Sequence, residues 1–183
     1  MFDLAITQKP AIEALIKEGK IAVGSNVILA RSGVGAAVPQ GAAKPDISSV
    51  DALKRALLAT KSIAYPVPDA GHASGIFFLG VIERLGIAQQ VNAKAKFMQG
   101  SVAEFAADDS ADIVISQPME ILATPGFELV GWLPEELQDR EQFTWALAIT
   151  ANAKEPTAGR AFIQFLTSPS SAAVIKAKGM EPG

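Results

Sequence analysis

Apolar positions along the chain switch repeatedly between two spacings. Short unbroken or period-two runs, the mark of strands, give way to positions i, i+3, i+4 and i+7, the mark of helices. FDLAI (2–6) reads as a short buried strand and KPAIEALIKEGK (9–20) as a helix with Pro10 in its first turn and Gly19 placed to end it. NVILARSGVGAAVP (26–39) is rich in β formers but interrupted by Gly33 and Gly35, so it is expected to be a strand that changes direction. After the loop PQGAAKPD (39–46), SSVDALKRALLATK (48–61) carries Ser48 and Asp51 at capping-box-like spacing before Leu53, Ala56 and Leu57 on one helical face.

Strand and helix signals then alternate. SIAYPV (62–67), KAKFMQ (94–99) and ADIVIS (111–116) read as strands, SGIFFLGVIERLG (74–86) and SVAEFAAD (101–108) as helices. Such alternation predicts a mainly parallel sheet covered by helices on both faces. The last third changes character: MEILA (119–123) is a short helix, FELVGWLP (127–134) and FTWALAIT (143–150) are strands. PTAGRAFIQFLTS (156–168) is a helix whose Ala158, Ala161, Phe162, Phe165 and Leu166 form one apolar stripe. SSAAVIKAKG (170–179) closes as a helix ended by Gly179. No internal repeat or low-complexity tract interrupts this order.

Composition narrows the function classes. The 183 residues, 49% hydrophobic, can bury a sizeable core. Sixteen Lys and Arg against 19 Asp and Glu give a net charge of −3 with no basic run, so a nucleic-acid partner is excluded. The absence of cysteine removes disulfides, thiolate metal sites and a Cys nucleophile, and is compatible with a reducing or an oxidising compartment. No apolar run reaches the roughly 18 residues of a membrane span, and MFDLAITQKP lacks the charged and apolar regions of a secretory signal. As it stands the sequence reads as soluble and without an address.

Candidate chemistry gathers at turns. DAGHASG (69–75) puts small residues and the single histidine at the mouth of a helix, where the first backbone N–H groups lack intrahelical partners and favour an anion. The plain alternative is Ser74 acting as an N-cap. MQGSVAEF (98–105) repeats the form with Gly100 and Ser101, although Glu104 at capping-box distance also explains the turn and would repel an anion. Ser116 and Gln117 follow the carboxyl end of ADIVI, where ligands sit in open α/β sheets. Arg31 is the one charged residue in the long β segment, suited to pairing with a carboxylate or to an exposed strand edge; Thr7 and Gln8 end the first strand. His72 has no nucleophile pattern and no second ligand at metal spacing, and reads either as a loop residue or as a base. Neither a P-loop nor a dinucleotide, HExxH or GxSxG motif is present, so no cofactor is implied. Trp132 and Trp145 read as core.

DLAIT with PAIEALIKEGKI, LARSGVGAAVP, DAGHASGIFFLGVIERLGI, SADIVIS, ELVGWLPEELQ and AFIQFLTSPSSAAVIKAKGMEP together resemble periplasmic substrate-binding proteins of the molybdate-binding type, the solute-binding components of ABC transporters. The resemblance runs from Phe2 to Pro182. It implies an α/β, two-lobed type II periplasmic-binding fold that closes on an oxyanion or small carboxylate. Residues 1–27 and 143–183 would form a discontinuous, truncated lobe I and residues 28–142 a complete lobe II, joined by crossing strands at 27–38 and at FTWALAIT. The resemblance assigns ligand-binding roles to Ala73, Ser74 and Gly75 through backbone amides, to Gly100 and Ser101, to Gln117 or its neighbour Ser116, and adds Arg31 and Thr7 from the other lobe.

Members of this type carry a signal peptide and a β-α-β segment ahead of the strand matching FDLAIT, so the chain is expected to lack that front end. The apolar face and open edge so left are expected to be covered by a second copy of the chain. The function implied is binding of a small molybdate-like oxyanion or organic carboxylate for an ABC permease, without cofactor or metal. Proteins of the same shape also include isomerases of small unsaturated acids, in which His72 would move a proton. A remnant or assembly module that binds nothing is the third reading. The location is periplasmic by resemblance, or cytoplasmic if Met1 is the true start.

Overall fold

The computed structural model describes residues 2–68, 72–99, 102 and 111–183. The chain forms two compact units: Met1–Ser32 with Asp139–Gly183, and Gly33–Gln138. Gly100 and Ser101, and with them the helix expected over 101–108 except for Val102, lie outside the described residues.

The first unit is an antiparallel sheet between helices. Strands β1 (Leu4–Gln8), β2 (Val27–Arg31), β8 (Thr144–Ile149) and β9 (Glu181–Pro182) lie in the order β1-β8-β2-β9. The central strand β8 alternates its side chains between two cores. Ala146 and Ala148 pack with Ile12 of α1 (Lys9–Lys17) and with Ile21; Leu147 and Ile149 pack with Ile163 of α6 (Pro156–Leu166). A last helix, α7 (Pro169–Ala177), starts at Ser168, whose hydroxyl accepts from the Ser171 N–H.

Of the apolar stripe expected on α6, Leu166 packs against the Leu147, Ile149 and Ile163 core, and the rest faces away from it. Phe162 and Phe165 are 48% and 61% exposed and stack on each other at 6.4 Å, while Gly159 and Ile163 are buried. A Cβ at Gly159 would stand 2.6 Å from Ile149 Cδ1, so the glycine lets the helix come down onto β8 on its own side, and proximity outweighs the size of the aromatic stripe.

The second unit holds a five-stranded sheet in the order β5-β4-β6-β3-β7, built from β3 (Gly35–Pro39), β4 (Ile63–Pro66), β5 (Ala95–Met98), β6 (Ile113–Ser116) and β7 (Phe127–Trp132). Strands β4, β5 and β6 are mutually parallel, and β3 pairs antiparallel with both β6 and β7. The sheet is therefore parallel except for β3. Every residue of β4 and β6 is buried, as expected of parallel strands covered on both faces. The helices are α2 (Val50–Ala59), α3 (Ala73–Arg84), α4 (Ala88–Asn92) and α5 (Pro118–Leu122), with a 3₁₀ turn at Glu135–Leu137. Tyr65 anchors one face: its ring meets Phe78 and Phe97 edge-on at 4.9 and 5.2 Å, and its hydroxyl donates to Asn92 Oδ1 at 2.6 Å.

Two expectations change here. The segment 26–39 is two strands in two sheets, and the chain changes unit between Ser32 and Gly33, then again between Gln138 and Asp139, not after 27 and 142. The reason is pairing: β2 finds hydrogen-bond partners in β8 and β9, so its whole length stays in the first unit. The N-cap of α2 is Ser49, whose Oγ accepts from the Ala52 N–H at 3.2 Å. Ser48 is instead held by Asp46, to which its hydroxyl donates at 2.7 Å.

Candidate functional site

Parallel strands all end at one edge, and the residues that follow them are brought together there. In the second unit β4, β5 and β6 end at Pro66, Met98 and Ser116, and the Val67 N–H donates to the Met98 carbonyl at 2.9 Å, closing β4 against β5 just beyond the ladder. The twelve-residue helix α3 begins over this edge. Its approach requires glycine: a Cβ at Gly75 would lie 2.2 Å from the Pro66 carbonyl oxygen and 2.9 Å from that of Val67. Gly75 thus brings the amino end of a helix against the carboxyl end of a central strand.

Ser74 and Gly75 are buried at this point. Ser74 is not the N-cap; that position is His72, which makes no side-chain capping bond. The His72 carbonyl accepts from the Gly75 and Ile76 N–H groups at 3.0 and 3.1 Å. The positive end of the helix dipole falls on Ala73 and Ser74, the positions assigned to an anion through their amides.

On the neighbouring strand, Ser116 and Gln117 differ in what they can offer. Ser116 is fully buried and its hydroxyl donates to the Glu120 carboxylate on α5, so its proton is already committed. Glu120 was not among the residues singled out from the sequence, although the i, i+4 spacing across Gln117 and Pro118 is the signal that could have found it. Gln117, the N-cap position of α5, uses its carbonyl oxygen as acceptor for the Glu120 and Ile121 N–H groups, and its side chain caps nothing. The residue is 7% exposed, and its Oε1 has no hydrogen-bond partner.

Buried polar atoms without a partner cost about 1–3 kcal/mol each and are correspondingly rare. Among the side chains of the described residues three such atoms occur, His72 Nδ1, Gln117 Oε1 and Trp145 Nε1, and the two that belong to the second unit both follow strands that end at this edge. That coincidence marks the edge more sharply than any motif.

Arg31 and Thr7 belong to the first unit. Arg31 ends β2 opposite Glu181, and its guanidinium donates to the Pro182 carbonyl at 3.5 Å. Thr7 sits on β1 opposite Ala146. The ends of the described segment around 100–101 leave Gly100 and Ser101 without a structural account. No group of three or more His, Asp or Glu that could hold a metal ion occurs among the described residues, and no helix among them is long and apolar enough to cross a membrane.

Comparison with known proteins bears on this geometry. Residues 1–181 match the family described as bacterial extracellular solute-binding protein. An aconitate isomerase from Pseudomonas sp. is 31% identical over 182 residues, covering 98% of this chain and 67% of that protein. Among solved structures, the substrate binding domain assigned to a molybdenum ABC transporter from Clostridium difficile superposes with a TM-score of 0.79 at 15% identity, covering 99% of this chain and 77% of that one. The periplasmic molybdate-binding protein of Azotobacter vinelandii gives 0.70 at 18% identity, over 99% and 78% of the two chains. At such identities the structures bear on fold alone, and they place the chain among periplasmic-binding α/β folds.

Proposed function

Because this chain belongs to the bacterial extracellular solute-binding proteins, we propose that it binds a small organic carboxylate at the carboxyl edge of the five-stranded sheet and delivers it to an ABC permease. The observation that carries this reading is the meeting of the α3 amino end with two buried, unpartnered side-chain atoms at one sheet edge. The α3 amides at Ala73 and Ser74 would receive the carboxylate, with Gly75 permitting the close approach and Gln117 reaching it from β6. Gly100, Ser101, Ser116, Arg31 and Thr7 remain assigned to the same ligand by resemblance. A carboxylate is preferred to a molybdate-like oxyanion because the relative that shares 31% of its residues is named for a tricarboxylate, whereas the molybdate binders share 18% or less.

A thermal-shift series tests the reading, since a ligand that binds only the native state raises stability by RT ln(1 + [L]/Kd). A dose-dependent rise with citrate or cis- or trans-aconitate, exceeding that with molybdate, tungstate or sulfate, is the expected result. A folded sample whose melting temperature moves with none of these anions would overturn it and leave the non-binding remnant.

A second reading is favoured by the same relative and by the unpartnered His72 Nδ1 beside the α3 amides: proton transfer on a bound unsaturated acid, with the imidazole as base. Proton NMR of cis-aconitate incubated with the protein distinguishes the two. Conversion to the trans isomer that His72→Gln abolishes while binding persists identifies an isomerase; binding without conversion identifies a carrier.

The outer side of β1, at the edge of the four-stranded sheet beside the exposed Phe2 and Ile6, is proposed to be covered by a second copy of the chain. Light scattering giving twice the 19.1 kDa chain mass is the expected outcome, and a monomer at working concentration excludes it.

A further inference from the structure

An edge strand leaves the N–H and carbonyl of every second residue open to any extended chain, and proteins blunt such edges with charge, proline, bulges or shortness. Of the outer strands of the two sheets, β9 is two residues long and ends in Pro182, β5 holds Lys96, and β7 holds Glu128 and meets β3 across a register shift. β1 has none of these devices. It reads LAITQ, five residues without charge or proline in unbroken register with β8, and its central Ile6 is exposed.

The open groups of β1 follow from its pairing. The Thr150 N–H donates to the Asp3 carbonyl at 3.0 Å, so the Asp3 backbone faces β8. That orientation alternates along an antiparallel strand, so Ala5 and Thr7 also face β8, while Leu4, Ile6 and Gln8 turn their backbone groups outward. Ile149, opposite Leu4, keeps the same alternation: its N–H donates to Ser25 Oγ and its carbonyl accepts from the Ala22 N–H, both on the side away from β1. The Gln8 carbonyl, at the N-cap of α1, is spent on that helix.

We propose that two copies of the chain join their β1 strands antiparallel about a two-fold axis at Ile6, fusing two four-stranded sheets into one. This rests on the reading that a second copy covers β1, and adds which groups meet and in what register. About Ile6 the whole strand overlaps its counterpart and outward groups meet outward groups. Ile6 exchanges N–H and carbonyl bonds with the partner's Ile6, and the Gln8 N–H meets the carbonyl of the partner's Leu4. A shift of one residue sets outward groups against inward ones, and a shift of two leaves part of the edge unpaired. Asp3, just before the strand, comes to the register position of the partner's Lys9, opposite in charge, although Lys9 also bridges Glu141. A parallel pairing would set Asp3 against Asp3.

The chain holds no cysteine, so one introduced thiol reports alone. In this register the two Cα atoms at position 6 lie about 5.5 Å apart, within disulfide range. Ile6→Cys, oxidised in the intact chain, is expected to run as a dimer on a non-reducing gel. Phe2→Cys, exposed but set beyond the joined strands, is expected to run as a monomer. Because the Ile6 N–H points outward, Ile6→Pro removes a donor at the joint without removing a bond to β8. It is expected to lower the mass in light scattering from twice the 19.1 kDa chain mass to that mass, with the circular dichroism of wild type, and Ile6→Lys, which places charge on the edge, is expected to do the same.

A wild-type dimer that persists in both variants, or Phe2→Cys cross-linking as fast as Ile6→Cys, overturns the inference and leaves the second copy on another face. Assemblies larger than a dimer overturn it as well, because this joint closes on itself. Where a substitution unfolds the chain, the cysteine pair alone decides. A monomeric wild type removes the inference together with the second-copy reading beneath it.

Discussion

Gln138 holds Val34 by both of its backbone groups. Its Oε1 accepts from the Val34 N–H at 3.0 Å, while its Nε2 donates to the carbonyls of Val34 and Leu133 at 2.8 and 2.9 Å. Val34 is fully buried, so no solvent replaces those bonds. Gly33 next to it is a glycine because a Cβ there would stand 2.5 Å from the same Oε1. Gln138→Ala is therefore expected to cost about 1–3 kcal/mol, the penalty for stranding the buried Val34 N–H, while the Val34 carbonyl keeps the Leu133 N–H at 3.0 Å; the loss is measured as a lower urea midpoint at unchanged m-value. A change below 0.5 kcal/mol would show that the backbone finds other partners.

Asp112 supplies a pH dependence of the same local kind. Burial pushes its carboxyl upward, but donation from the Lys61 and Ser62 N–H groups and from Thr60 outweighs this and holds it below the ordinary carboxylate value. A carboxyl depressed in the folded state contributes stability above its unfolded pKa of about 3.9, and that stability is lost as pH falls through the folded value. Asp112→Asn is expected to be less stable than wild type at pH 7 by about 1 kcal/mol or less, given its exposure, with the gap closing as pH falls through the carboxylate range. A gap that stays constant with pH would mean that geometry rather than charge matters there.

At the scale of elements, spacing located most of the strands and helices, and it failed where a neighbour rather than the local pattern decided. Ala158, Phe162 and Phe165 form the more apolar face of α6, yet Gly159 and Ile163 dock, since only a face with glycine can close on Ile149. Helix α4 is five residues, shorter than two turns, and leaves no periodicity to read. The turn at 72–75 and the Ser116–Gln117 pair were legible because they follow strands and precede helices. Glu120 and Gln138 were not, because each acts through a partner chosen by the fold.

Capping shows the same limit within one residue. The pattern at 48–51 suits Ser48, but the backbone enters the helix one step later and Ser49 takes the bond. Ser49→Ala is expected to destabilise by about 1 kcal/mol. Ser48→Ala, which removes an exposed turn contact, is expected to change stability by less than about 0.5 kcal/mol. Reversed magnitudes in chemical denaturation would restore the assignment made from spacing.

For the whole molecule, chain order has a kinetic consequence. Gly33–Gln138 is continuous, so the second unit can gather its strands without waiting for either terminus. The first unit is split: Leu4 pairs with Ile149 and Gln8 with Trp145, and its central strand β8 is reached only after the whole second unit has been passed. Closing so long a loop from the unfolded chain adds an entropic cost before any pairing returns it, and contacts of long sequence separation slow folding. If the second unit folds first, it shortens the effective loop for the other.

The chain has two tryptophans, and each reports on one unit: Trp132 at the end of β7, Trp145 near the start of β8. Trp145→Phe leaves a probe of the second unit and Trp132→Phe a probe of the first. On dilution from urea, the Trp132 signal is expected to recover with a faster rate constant than the Trp145 signal, and a carboxylate ligand held at the second unit's sheet edge is expected to slow unfolding of the Trp132 phase. Identical rate constants from both probes would mean that the two units form in a single cooperative step, with β1–β8 pairing inside the rate-limiting event rather than after it.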